Sequence, residues 1–433
     1  RIPTPIEIGI FDRHREADRR AQLVDHLLAS DEHASYWADL YVDVLMPEKY
    51  RKRDVFAAGL HGWLTTSFAQ GRPYDEIMFE LVTARGSVSA ETPAAYLWSQ
   101  YQVGGVDQLA QSAVKLLIDE NLSCAQCHDD PTNARNTHAR YERVTAYFSR
   151  VHHKRVKDAE PDQRFFLVDM EAPVKHKRFA KVERAFDGKD CINAELSDRA
   201  CLMSLVRDDP RFAAAAVQRV WQHMFGHPLE HPEIMAQLRQ RFVDSGYDLR
   251  GLLRTLALSE TYGRSSAHGA PSPDGTEPED VFARARVRPL DARRLGTSML
   301  VAMSIVPTTP LFHPNPPALQ RVVDNDFRRV FPQYTLEPTP ETNLQRELLL
   351  LNGRLSNSKA MLREGGRLPA ILAADEDPTQ RVRAMFLATY ARAPTPAELK
   401  TAVELIAQAP GEPRDYADLY AALLTSTEFI TNH

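Results

Sequence analysis

The segment NLSCAQCHDDP, Asn121–Pro131, sets Cys124 and Cys127 about one helical turn apart, with His128 directly behind them. C-x-x-C-H is the spacing of covalent haem c attachment. Two thiols at that separation reach the two vinyl groups of one porphyrin as thioethers. The adjacent imidazole then turns to the iron, and axial ligation and burial set the potential. The motif is short, and the same thiols can instead form a redox or structural disulfide, join a zinc site, or stay unmodified. Structural zinc wants four ligands, and the chain has no second C-x-x-C. One covalent haem c is therefore expected, anchored by Cys124 and Cys127, with His128 as proximal metal ligand.

The neighbouring sequence extends this expectation. Between Arg135 and Arg184 there are 13 Lys/Arg against 7 Asp/Glu, in a chain of net charge −5. Haem propionates are anionic, and guanidinium groups pair with carboxylates bidentately. Arg135, Arg140 and Arg143 are the nearest candidates for that pairing. The same basic face could simply be solvated, or could dock an acidic partner in a salt-sensitive way.

A six-coordinate electron carrier also needs a distal ligand, and His223 is the expected one. Phe212, Ala216, Arg219 and His223 share one helix face. On a face that is otherwise apolar, Arg219 and His223 need partners if buried. A propionate for Arg219 and the iron for His223 would supply them, as would ordinary helix-to-helix packing. His138, His152, His153 and Met224 are weaker candidates. His227 and His231 continue the spacing, but Pro228 and Pro232 interrupt a single regular helix there.

The elements that must position these residues read as helices. In AQLVDHLLASDEHASYWADLYVDVLM, Leu23, Leu27 and Leu28, then Trp37, Leu40 and Val44, recur at helical spacing. PYDEIMFELVTARG runs from Pro73 to Gly86, with the start and stop preferences of a helix. VDQLAQSAVKLLIDE places Leu109, Ala113, Leu116 and Leu117 on one face and leads to Cys124. ARYERVTAYFSRVHHKRVK predicts a helix to about residue 156. RFFLVDM reads as a short strand, and FDGKD carries a turn signal. Helices resume with Ser197 and Asp198 as N-cap candidates. PTQRVRAMFLATYARA, TPAELKTAVELIAQA and RDYADLYAALLTSTEFITNH are the last helical segments. Arg264–Asp280 and Pro307–Pro340 read as irregular. The expected fold is mostly α, with two helical domains joined by an irregular linker able to hold short β-strands. The boundaries fall at 1–157, 158–196 and 197–433.

At 433 residues, 43% hydrophobic and 26% charged, the chain can fill domain cores without cross-links. Its net acidity argues against nucleic acid as a partner. No apolar run spans a bilayer, so contact with a membrane would be peripheral at most; Ser298–Val306 is short enough to be a core helix. The opening residues hold no apolar leader region, so an exported protein would have lost its signal peptide already. Sparse, paired cysteines suit export to a periplasmic or extracellular setting, although the spacing of Cys191 and Cys201 permits a bridge without requiring it. No GxSxG, P-loop, GxGxxG, HExxH or EF-hand pattern is present. That favours an electron-transfer protein over a stand-alone enzyme.

Several blocks carry a family likeness. LLASDEHASYWADLYVDVL, WLTTSFAQGRPYDEIMFELVTARG and CAQCHDDP resemble the first of two domains found in planctomycete cytochrome-associated proteins. DRACLMSLVRDDPRFAAAAVQRVWQHMFGHPL, FVDSGYDLRGLLRTLALSETYGRSS, YARAPTPAEL and ALLTSTEFITNH resemble the second. Both are domains of unknown function, numbered fifteen-forty-nine and fifteen-fifty-three. The resemblance implies an exported protein, often with a separate cytochrome c domain upstream and in the company of a sulfatase-like gene; other redox or membrane-associated protein subunits are the expected partners. Two departures stand out. The family signature CHDHP has its second histidine replaced by Asp130, and the insert between the domains is short. The expected function is an exported mono-haem c-type electron-transfer subunit. The competing expectation is a haem-free secreted scaffold, with a Cys124–Cys127 disulfide, serving a sulfatase-like or polysaccharide-degrading hydrolase.

Overall fold

A computed structural model describes the chain except residues 15, 47–53, 88–91, 156–164, 170–176, 180, 192, 194, 267–281, 306–326, 328–329, 331–343, 409–410 and 433. The fold is mostly α-helical, and the described residues divide into two compact units. One is Val24–Ser259. The other joins Arg1–Leu23 to Glu260–His433.

The chain opens with α1 (Pro5–Arg13), α2 (Arg19–Leu28) and α3 (Asp31–Leu45). Ser30 caps α3 through the backbone N–H of His33 at 3.1 Å, satisfying one of the donors a helix start leaves open. Trp37 and Leu40 are buried as their spacing predicts, whereas Leu23 and Leu27 are exposed. The stripe thus buries only its second half.

Next come α4 (Asp54–Ala69), α5 (Tyr74–Thr83), a short β1 (Gly86–Ser87) and α6 (Ala94–Ile118). Helix α6 breaks at Gly104 and Gly105, where Gly105 takes φ 65, a conformation that costs a side-chain-bearing residue about 1 kcal/mol or more. Its second half buries Leu109, Ala113, Leu116 and Leu117.

Helix α7 covers only His138–Ala146. The helix expected to reach residue 156 instead gives way to β2 (Val151–Arg155), which pairs antiparallel with β3 (Phe165–Asp169). The sheet order is β1-β3-β2, with Val151 opposite Asp169 and Gly86 opposite Leu167. Pairing with β3, the next strand along the chain, satisfies the backbone of Val151–Arg155, and the periodicity within the segment does not encode it. The strand expected in RFFLVDM is β3. FDGKD closes as a tight hairpin. Phe186 and Lys189 exchange backbone hydrogen bonds of 2.9 and 3.0 Å, and Asp187 and Gly188 take φ 50 and 79, as a type I′ turn requires.

Four more helices complete this unit: α8 (Asp198–Arg207), α9 (Pro210–Phe225), α10 (Pro232–Asp244) and α11 (Leu249–Ala257). The expected boundary at residue 197 therefore falls inside a compact unit. Helix α9 packs on α6, and α8 packs on α5. The fully buried Arg199 donates to the carbonyls of Val82 and Ala84 at 2.6 and 3.1 Å, tying α8 to the end of α5.

In the second unit, α12 (Ala292–Ala302) buries Leu295, Met299 and Leu300, so Ser298–Val306 is largely core helix as expected. The helices Pro378–Tyr390, Pro396–Gln408 and Pro413–Thr425 join that core through Val382, Met385, Ile406, Tyr420 and Leu424. A two-residue strand pair sets Arg288 opposite Asn432. Most of the two irregular segments expected at Arg264–Asp280 and Pro307–Pro340 lies outside the described residues.

Candidate functional site

Helix α6 ends at Ile118, and Asp119 turns the chain with a left-handed φ of 56. The motif therefore sits not on the tip of α6 but in the loop between α6 and α7. Short polar side chains stitch that loop end to end. Asn121 Oδ1 accepts from Ser123 N at 2.9 Å, and Asn136 Nδ2 donates to Asn121 O at 3.0 Å. Asp130 N donates to Asn136 O at 2.9 Å. Asp129 Oδ1 accepts from His138 N at 2.7 Å, and the imidazole of His138 bonds to Ala125 O at 3.0 Å.

Asp130, where the family signature has histidine, acts as a loop brace. Its Oδ1 accepts from both the backbone N–H and the hydroxyl of Thr132, at 2.9 and 2.8 Å. Those two bonds from Thr132 hold its carboxyl below the usual range.

Inside this brace, Cys124–Gln126 form one 3-10 turn with Ala125 buried beneath it. Cys124 and Cys127 are free and exposed, so the bridge considered between them is not formed. His128 is exposed, and its Nδ1 lies 2.8 Å from Asp129 O. A carbonyl only accepts, which assigns the proton to Nδ1 and leaves the lone pair on Nε2, the nitrogen a metal would take. Among the described residues, no group of three His, Cys, Asp or Glu side chains is placed to hold one metal ion.

The arginines near the motif part ways. Arg140 is buried, and its guanidinium is taken by Glu120 at 2.8 Å, by Asn136 at 2.6 Å and by Asp187. Arg211, which the sequence did not single out, bonds the same Glu120 and Asp209 at 2.6 Å each, and also Asp187. Burial pushes the Asp187 carboxyl up, but the bonds from Arg140 and Arg211 outweigh it and hold it below the ordinary range. Hydrogen bonds donated to Asp209 first, then to Asp187 and Glu120, raise Arg211 further, against burial. Arg135 is 56% exposed and meets Glu120 only at 3.5 Å, and Arg143 is exposed. All four arginines line a cleft of about 600 Å³ with Asp187, Asp209 and the first residues of α7 and α9.

Arg219 and His223 lie elsewhere, in the aromatic interior. Arg219 donates to Tyr74 Oη at 2.8 Å and to Leu116 O at 2.7 Å. The Nε2 of His223 lies 3.0 Å from Tyr36 Oη, with the ring edge-on to Trp37 at a centroid distance of 5.4 Å. These bonds match the packing alternative for that helix face, tying Arg219 through both terminal nitrogens and His223 through Nε2. His138 likewise bonds within the loop, and His152 bonds its Nδ1 to Arg150 O at 3.2 Å.

Taken together, the donor set of Cys124, Cys127 and His128 fits haem c attachment: two reduced, accessible thiols and an imidazole presenting Nε2. Arg135 and Arg143 are exposed, while Arg140 and Arg219 have protein partners. Sequence reasoning missed Glu120, Asp187, Asp209 and Arg211. The only local signals were the Asp-Gly turn at Asp187 and the Asp-Pro helix start at Asp209.

By this architecture the chain is a mostly α-helical protein with its C-x-x-C-H loop exposed between two helices of one unit. Residues 1–153 match the family described as PSCyt2, protein of unknown function (DUF1549), and residues 202–330 match PSD1, protein of unknown function (DUF1553). The chain thus pairs these two domains in that order. No curated protein and no solved structure matches it.

Proposed function

We propose that the chain is an exported, mono-haem c-type electron-transfer subunit of a larger assembly. The carrying observation is the free, exposed Cys124 and Cys127 followed by a His128 whose Nε2 lone pair is left for a metal. Haem c, when bound, supplies a one-electron couple at its iron. The chain's own residues hold and tune it. Cys124 and Cys127 provide the thioether sulfurs. The Nδ1–H of His128, bonded to Asp129 O, fixes the tautomer and the ring orientation. The braces from Asn136, Asp129 and Asp130 keep the turn in place. Because the motif is exposed, a partner subunit has direct access to whatever it carries.

Export is supported by the Cys191–Cys201 disulfide, whose Cα atoms are 5.4 Å apart. Structural disulfides persist in oxidising compartments. Among the described residues, no helix is long and apolar enough to cross a membrane.

The test is production of the chain in a host with c-type maturation machinery, followed by intact mass and haem staining of a denaturing gel. One covalent haem per chain is the expected result. An unmodified mass under conditions that load a control cytochrome would overturn the proposal.

A further inference from the structure

We propose that the cleft bounded by α7, the Asp187–Gly188 turn and the start of α9 binds a small polyanion: a ligand carrying two or more carboxylate, phosphate or sulfate groups. Its volume, about 600 Å³, is in the range of a small-molecule site. The lining includes Arg135, Arg140, Arg143 and Arg211, and its apolar members are only Ala139, Ala185 and Pro210. A ligand seated there is held by charge and hydrogen bonds. A flat apolar ring system would find no large apolar side chain to cover it, which separates this cleft from the cofactor reading of the neighbouring loop.

The arginines divide by role. Arg140 and Arg211 form a floor already cross-linked through Glu120, Asp187 and Asp209. Their fork geometry is fixed before any ligand arrives, so little ordering cost is added on binding. Arg135 and Arg143 form the exposed rim. Arg135 touches Glu120 only at 3.5 Å. Arg143 sits one turn after Arg140 on α7, so both side chains reach the same face. The floor sets two guanidinium groups against three carboxylates, so it is the two rim arginines that bring the cluster to a net charge of +1.

The backbone adds to this. Thr137 caps α7, Asp209 caps α9, and both capping residues line the cleft. The positive ends of two helices, of 9 and 16 residues, therefore open onto one space. Several of their N–H groups are already bonded, His138 to Asp129, Arg140 to Thr137 and Arg211 to Asp209, and Pro210 has none, so the helix starts add chiefly the macrodipole. Two rim guanidinium groups at one cleft argue for more than one anionic group on the ligand.

The experiment is calorimetric titration of the full chain with citrate, inorganic phosphate and inorganic sulfate in separate arms. It is run on the haem-loaded form and on a C124A/C127A form. Saturable citrate binding at one site is expected, tighter than phosphate or sulfate, and the same in both forms. R135A/R143A should weaken citrate by about tenfold or more while leaving the melting temperature unchanged, since both side chains are exposed. Affinity should also fall as salt rises. Absence of saturable citrate binding would overturn the proposal. So would equal affinity in R135A/R143A, or citrate binding no tighter than that of the single oxyanions. Binding that needs the attached haem would also sink it, assigning these arginines to the cofactor instead.

Discussion

Two regions of the same unit carry the residue types expected of an iron site, and they use them in opposite ways. In the loop before α7, Cys124, Cys127 and His128 are exposed, and the polar residues around them spend their hydrogen bonds on bracing the backbone. On α9, Arg219 and His223 are buried at 5% and 8% exposure, and their polar atoms bond Tyr74, Leu116 and Tyr36. A histidine after a cysteine pair and a histidine on an apolar helix face both suggest a ligand. Burial and partners separate them: one region offers unspent donors at the surface, and the other closes its own hydrogen-bond account inside the core. Residue identity nominates a site, and satisfaction of polar groups decides between binding and packing.

The largest effect expected from breaking this contrast is at the cysteines. C124A/C127A should abolish covalent haem entirely while shifting unfolding free energy by no more than about 0.5 kcal/mol, as for exposed positions away from packing. Haem staining and a urea titration read the two halves. Retained covalent haem would remove the assignment.

Arg219→Ala should do the reverse. It leaves the Leu116 carbonyl and the Tyr74 hydroxyl without their donor in the interior, and a loss of about 3 kcal/mol follows. The midpoint of urea unfolding should drop while haem stoichiometry in the folded fraction stays at one. If instead the absorption spectrum of the loaded protein changes with little loss of stability, Arg219 faces the cofactor and the contrast fails.

His33 gives a pH-dependent version. Burial first, then the nearby Arg250 charge, lowers its pKa from 6.5 to about 4. Between those values the unfolded chain binds the proton and the folded chain does not. Its contribution to stability is therefore complete above about pH 6.5 and is lost as pH falls through about 4. Replacement by Gln should flatten that part of the stability–pH curve by about 2 kcal/mol, measured by denaturant midpoints at pH 7, 5.5 and 4. An unchanged slope would show that His33 is not a buried neutral group in solution.

The smallest effect falls on the loop brace. Asn136→Ala removes the bonds to Asn121 O and from Arg140, at about 1–2 kcal/mol for a buried side chain bonded at both ends. Lower haem occupancy is expected, with attachment still possible. Full occupancy and unchanged amide exchange in residues 121–136 would show that the brace does not position the motif.

Much of the fold was legible in the sequence, because helical periodicity, Pro-initiated starts and Ser or Asp caps are local properties. Leu109, Leu116 and Leu117 on α6 and Phe212 and Ala216 on α9 are buried as their spacing predicts. The strand at Val151–Arg155 was missed because its hydrogen bonds go to Phe165–Asp169, and pairing across such a gap leaves no mark in a window of neighbours. Residue 197 lies between the two family matches, which cover 1–153 and 202–330, and inside the compact unit Val24–Ser259. Helix α8 follows a family boundary in sequence yet packs against α5. The Arg140–Glu120–Arg211–Asp187 network was illegible for the same reason.

By itself, then, the sequence determined the helices, the paired domain families and the nomination of Cys124, Cys127 and His128, since each depends on residues within a few positions of one another. Only the tertiary structure decided which arginines are spoken for, that His223 belongs to an aromatic interior, that Cys191 and Cys201 are bridged, and that four arginines meet around one cleft. Those facts depend on which distant surfaces exclude water from each other. A polar group's partners are chosen only once that burial has been fixed.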